Sequence, residues 1–250
     1  MNGSSSIEGG MGISMLPHGA PWPLWLAPTA RAPQPGPTRW VVPPSRPRLS
    51  RSKPVATAHT MMVRLPGDQL LLSVEHETLA RITPPMLSAW FRGLPRALWH
   101  AGREYTRHAL WHPVDHVHWS LLRPAPRGGM GVGARVHEVV ACGGRAEHLV
   151  EVVADVERLD EHGVTLVRRW LGVEVMRLQH SFRAVDDGTE VHTRLWVGVA
   201  GGGWRERWAQ RVNLALRPVL LPDATALAWL HHCVEQVGML QGLLPRLSRR

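Results

Sequence analysis

VEVMRLQHSFRAVDDGTEVHTRLWVGV, residues 173–199, carries apolar side chains at alternate positions on both sides of an Asp-Gly step at 187–188. Alternation is the period of a half-buried β-strand, and Asp-Gly between two such runs signals a hairpin. The same texture extends upstream through DHVHWSLLRP, GARVHEVVACGG, EHLVEVVADVERLDEHG and VTLVRRWLG, which leads into the quoted run. Residues from about 115 to 199 therefore read as five or six consecutive antiparallel strands joined by short turns.

After Gly201 to Gly203 the period changes to that of a helix, first in WRERWAQRVNLALRP and then, beyond Pro222, in DATALAWLHHCVEQVGMLQGLL. Asp223 can cap the second helix, whose apolar face takes in Leu227, Leu230, Val234, Val237 and Leu240. Ahead of the strands, ITPPMLSAWFRGLPRALWHAGREY places Thr83 to cap a helix that begins at Pro84 or Pro85 and turns Leu87, Trp90 and Phe91 inward. Gly93 and Pro95 interrupt it. Strands followed by a long helix predict an α+β fold, with the helix laid across a curved antiparallel sheet and a cavity between them.

Residues 1–58 are dense in Pro, Gly and Ser and predict a disordered tail, whereas 61–250 forms the folded domain, and Met61 or Met62 would serve as an alternative start. The formal net charge is +9, of which residues 1–60 supply +5. In the remainder Arg is scattered among acids and forms no basic stripe of the kind that binds nucleic acid. No run of about 18 or more uncharged apolar residues predicts a membrane span, and no signal peptide opens the chain. Cys142 and Cys233 lack CxxC spacing, which fits a reducing, cytoplasmic setting. The glycine clusters GGMGVG and AGGGW lack a nucleotide-binding context, and no GxSxG motif marks a serine nucleophile.

The chain holds 15 histidines, a residue that ligates metals and moves protons near neutral pH. In YTRHALWHPVDHVHW, His112 lies just before a strand, and alternation places His116 and His118 on one face of it. Glu138, among Val136, Val139 and Val140, either faces solvent or needs a cation, since a lone buried carboxylate is costly. On the last helix His231 and Glu235 are four apart, on one face. HxxxE differs from HExxH in that the acid itself would have to be a ligand.

Taken in order, ITPPMLSAWF, LWHPVDH, VHEVVACGG, LGVEVMRLQHSF and AWLHHCVEQVG resemble the diacetylphloroglucinol hydrolase family over roughly residues 75–242. The resemblance implies a helix-grip fold similar to Bet v 1 and START domains. It implies a Zn2+-dependent hydrolase that cleaves the carbon–carbon bond between an acyl group and a phenolic ring. By the same resemblance the metal ligands are His112, Glu138, His231 and Glu235, with His116 as the alternative to His112. Tyr105 and Asp115 match residues that contact substrate hydroxyls, and His180 matches a histidine of the catalytic surroundings; Tyr105 and His180 are the catalytic candidates. His192 stands in the phenol-binding region where a tyrosine would be expected. The expected partner is a small aromatic ketone, with no nucleic acid and no membrane, and a homodimer is the assembly considered. A non-catalytic helix-grip module that carries a hydrophobic or polyketide ligand is the alternative reading, and affinity for nucleic acid through the Arg-rich tail is a third.

Overall fold

The computed structural model describes residues 39–44, 46–100 and 102–247. The hairpin at the centre of the sequence reading is present as two long strands, β10 (Val173–Val185) and β11 (Gly188–Val197). The turn itself is Asp186–Asp187, one residue earlier than the Asp-Gly signal suggested, and Gly188 already pairs with Val185. Glycine is needed at 188 because a Cβ there would run into the Leu79 carbonyl of β3 (Leu79–Ala80), which pairs alongside. On the other side β10 pairs with β9 (Gly163–Trp170) through Leu171 and Gly172, both at positive φ as a tight hairpin turn requires.

Three further strands follow outward, β8 (Leu149–Asp160), β7 (Arg135–Ala141) and β6 (His116–Arg123). The expected run of strands between 115 and 199 is thus β6 to β11. Two longer strands of the same sheet precede it, β1 (Ala58–Leu65) and β2 (Gln69–His76). They extend the sheet beyond β11, giving the order β1-β2-β11-β10-β9-β8-β7-β6 with every neighbour antiparallel. Met61 and Met62 lie inside β1, whose first residues pair with the end of β2. A separate hairpin, β4 (Ala97–His100) with β5 (Arg103–Thr106), leads into a short helix, α2 (Arg107–Trp111).

The inner face of the sheet is covered by α4 (Asp223–Leu247) and closed at one end by α1 (Pro84–Arg92). Leu230 and Val234 of α4 pack with Leu70, Leu72 and Leu195, whereas Val237, Leu240 and Leu243 pack with Leu87, Trp90 and Phe91 of α1. Alternating strands with one buried face and a long helix across them constitute the α+β helix-grip architecture. Thr83 sits at the N-cap of α1 without a side-chain hydrogen bond; its carbonyl instead accepts from the Met86 and Leu87 amides. Asp223 is the first residue of α4, and its carboxylate pairs with Arg64 of β1 and with Arg217 of the preceding helix α3 (Glu206–Leu220).

Of the segment expected to be disordered, residues 1–38 lie outside the described residues; Arg39 and Trp40 lie against the outer face of the sheet beside Glu151, His118 and His137, and residues 49–53 run over α4 as a strap. Lys53 lies against Gly238 and Ser50 against Gly242, where any Cβ would collide with them. Leu49 joins the core, and Arg46 donates to the His116 carbonyl. Pro-rich sequence need not form regular elements to be held; here two glycines on a helix make room for it.

Replacing the fully buried Leu230 by Ala should lower the unfolding free energy by about 2–5 kcal/mol in urea titration. Leu214→Ala on the exposed side of α3 should stay within about 0.5 kcal/mol of the parent. Equal effects would contradict this placement of the core.

Candidate functional site

Between the sheet and α4 two adjoining hollows share Glu138, Val140, Leu166, Leu178 and Trp229 as walls. One also reaches His180, His232 and Gln236. On α4, Trp229, His232 and Gln236 stand three and seven residues apart, one stripe of the helix, beside the fully apolar stripe of Leu230, Cys233 and Val237. That register turns His232 inward. His231, one residue back and about 100° around the helix, is half-buried and belongs to neither group of close-set ligand atoms among the described residues.

Those two groups are His108, His116 and Glu138, and His112, Asp115 and His232, each with ligand atoms within 4.8 Å of one another. The first depends on α2. Thr106 caps it by accepting from the Ala109 amide at 3.1 Å, and the helix presents His108 to the interior, its ring stacked 3.8 Å from that of His116. His108 Nε2 lies 2.8 Å from Glu138 Oε1. Burial alone would raise the Glu138 pKa, but the His108 hydrogen bond and nearby imidazoles hold it below the ordinary value. A β-bulge between His116 and His118 breaks the alternation expected there, so His116 points into the cluster while His118 stacks on Trp40 at the outer face.

The second group is tied together by Asp115, which is 1 % exposed. Its carboxylate accepts from the Gly143 and Gly144 amides at 3.0 and 2.9 Å and from His232 Nδ1 at 2.9 Å. Burial opposes ionisation of Asp115, yet these donors keep its pKa below the usual carboxylate value. These bonds tie Asp115 to His232 and to the Gly143–Gly144 backbone. His116 is pushed well below its normal pKa by burial and by the neighbouring imidazoles, and His232 is lowered by burial against the pull of Asp115. Both rings are therefore neutral near pH 7.

Hydrogen-bond partners fix which nitrogen of each ring carries a lone pair. His116 Nδ1 donates to the His108 carbonyl at 2.7 Å, so its Nε2 carries the lone pair, which accepts from the Gln236 Nε2 amide at 3.3 Å. His232 Nδ1 donates to Asp115, which leaves its Nε2 a lone pair too. The His116 and His232 rings are 5.3 Å apart. His112 is arranged the opposite way. Its Nδ1 accepts from the Asp115 amide at 3.1 Å, so the proton is on Nε2, directed at Glu235 Oε2 at 3.2 Å.

The remaining expected residues are spread more widely. His180 is buried on the inner face, where it lines the cavity. On β11 the buried positions are Thr189, Val191, Thr193, Leu195 and Val197, so His192 turns to the outer face, opposite Ser181 and Glu75. Tyr105 is half-buried on β5, within electrostatic range of Arg46. His108, His232 and Gln236 were not singled out from the sequence. A signal for the last two existed, since Trp229, His232 and Gln236 continue one helical stripe; His108 had none, because the short α2 carries too few residues to show a period.

The model of the DAPG hydrolase PhiG domain matches residues 65–249. No curated protein matches the chain. Among solved structures, the human StarD13 lipid transfer and protein localization domain is 15% identical over 81% of this chain and 87% of that one, with a TM-score of 0.41. A START superfamily protein from Mycobacterium smegmatis is 12% identical over 66% of this chain and 98% of that one, with a TM-score of 0.36. A protein from Rhodobacter sphaeroides is 14% identical over 76% and 99%, with a TM-score of 0.37. No helix among the described residues is long and apolar enough to cross a membrane.

Burial lowers the pKa of His180 to about 4. An unfolded histidine titrates near 6.5, so below that pH the unfolded chain binds a proton that the folded one refuses, and stability falls as pH drops from about 6.5 to about 4. In chelator-treated protein, this group alone should remove about 2 kcal/mol between pH 6.5 and 5. His180→Phe should flatten that part of the profile in urea titrations, and an unaltered slope would contradict the burial of this imidazole.

Proposed function

The chain belongs to the DAPG hydrolase family, and on that premise we propose that it is a zinc-dependent hydrolase that cleaves the carbon–carbon bond between an acyl group and a phenolic ring. The reading rests on two neighbouring groups: His116, with a lone pair on Nε2, beside the ionised Glu138, and His232, with a lone pair on Nε2, held by Asp115; Glu138 and His232 line the apolar cavity, and the His116 and His232 rings are 5.3 Å apart. Neutral imidazoles and an ionised carboxylate are the protonation states in which these side chains ligate a metal. Each has a partner of the kind that orients ligands: the His108 carbonyl for His116, Asp115 for His232, and the His108 ring for Glu138.

The donor set suits zinc, since two nitrogens and a carboxylate with one open position are typical of catalytic sites. His116, Glu138 and His232 would hold the ion, with the Gln236 amide adjacent. This replaces His112 by His116 and His231 by His232, and leaves Glu235 as the partner of His112. When bound, zinc would supply Lewis-acid activation of the acyl carbonyl and of water.

The chain's own groups account for the rest. Leu166, Leu178, Val140 and Trp229 form an apolar wall against which a phenolic ring can lie with little competing water. Hydrolysis adds the elements of water across the bond, the hydroxyl to the acyl carbon and a proton to the ring carbon. Expulsion of the ring is feasible when flanking hydroxyls let it react as its keto tautomer, and a proton must then reach the ring carbon. His180, neutral and on the cavity wall, is placed to move that proton.

Purified protein incubated with acylated phloroglucinols should release the carboxylic acid and the deacylated phenol, and a chelator should stop the reaction. Asp115→Asn, which weakens the hold on His232, should lower metal affinity or turnover by about 10- to 100-fold. Turnover that survives complete chelation would contradict the metal-dependent reading. Zinc-loaded protein that binds acylphenols without cleaving them would favour a carrier module.

A further inference from the structure

The hydroxyl of Thr193 stands between two imidazoles. Thr193 faces His180 directly across the β10–β11 ladder, and its Oγ1 lies 2.8 Å from His180 Nδ1. The same oxygen is 3.0 Å from Nε2 of His76, on the neighbouring strand β2. Thr193 is fully buried, His180 lines the cavity, and His76 ends β2 with part of its surface exposed. The three groups thus form one hydrogen-bonded line from the cavity to the last residue of β2, which pairs with the first residue of β1. Cys233 adjoins the line, with its Sγ 3.9 Å from His76 Nε2 and in hydrogen-bonding reach of the Thr193 side chain.

We propose that Thr193 and His76 are relay residues that act through His180, carrying protons between the cavity and the solvent side of β2. The assignment of the reaction to this relay rests on the hydrolase reading above. A hydroxyl has one proton to give and lone pairs to receive, so it can pass a proton between two rings while both stay neutral. When water attacks the acyl carbon, His180 Nε2 takes the proton that water loses. His180 Nδ1–H then passes to Thr193, the Thr193 hydroxyl proton passes to His76 Nε2, and His76 Nδ1 releases one proton to solvent. When the acyl–ring bond breaks, the bonding pair stays on the ring carbon, and the line runs in reverse. His76 Nδ1 takes a proton from solvent, Nε2–H passes to Thr193, Thr193 passes its proton to His180 Nδ1, and Nε2–H goes to the ring carbon. One proton has left and one has entered, and both rings have recovered their starting tautomers. Without the relay His180 would have to hold both protons as an imidazolium, a form that its buried position disfavours.

Thr193→Val keeps the shape and removes the hydroxyl, and Thr193→Ser restores it. The relay predicts that kcat for cleavage of monoacetylphloroglucinol by zinc-loaded protein falls about 100-fold in Thr193→Val, with KM within about twofold, and returns toward the parent in Thr193→Ser. It also predicts, independently of turnover, that 15N spectra of the imidazoles show altered tautomers at both His180 and His76 in Thr193→Val. Parent turnover that is unchanged in Thr193→Val overturns the relay and leaves the hydrolase reading standing. If the parent does not cleave the substrate, the hydrolase reading fails. The 15N spectra then decide alone, with coupled tautomers supporting the proton line and unaltered tautomers overturning it.

Discussion

The interior depends on the carboxylate of Asp115. It joins three parts of the chain that are distant in sequence: the turn that leads into β6, the Gly143–Gly144 backbone after β7, and His232 on α4. A charge buried to this degree is tolerated only if its acceptor sites are filled, and here backbone amides and an imidazole fill them. The consequence reaches beyond stability. By accepting from Nδ1 of His232, Asp115 decides that Nε2 of that ring carries the lone pair, and so turns a helix side chain into a potential ligand facing the cavity.

The same logic governs the other histidines of the cluster. Each is stripped of water and each is assigned its donor and acceptor nitrogens by a specific partner: a backbone carbonyl for His116, a backbone amide for His112, a threonine hydroxyl for His180. Chemically identical side chains thereby acquire different capacities. His116 and His232 are left able to bind a cation, His112 is committed to Glu235, and His180 is connected through Thr193 to His76. The apolar walls supplied by the sheet are what make these assignments rigid, because water cannot substitute for a missing partner.

Much of this was legible in the sequence. Period-two runs closed by turn residues announce β6 to β11, and the long apolar stripe announces α4, because both periods are repeated often enough to be read. Membership of the family was visible in short motifs spread along the domain. Finer matters were not legible, for physical reasons that differ by residue. His116 and His118 look equivalent until a bulge separates them. His231 and His232 differ by one step of a helix, and only the packing of Trp229 and Leu230 sets which of them faces the cavity. Motif spacing favoured His231 with Glu235; the helix register favours His232 with Gln236. The strap over α4 depends on the absence of side chains at Gly238 and Gly242, a signal that composition does not carry.

The central claim is that one metal site is built from the side chains that these partners orient. Its most direct test is zinc content per chain, measured by elemental analysis on folded parent protein and on the single variants His232→Ala and His231→Ala. Near-stoichiometric zinc is expected in the parent, with loss in His232→Ala and retention in His231→Ala. Loss in His231→Ala with retention in His232→Ala would contradict it and return the site to the neighbouring stripe of the helix.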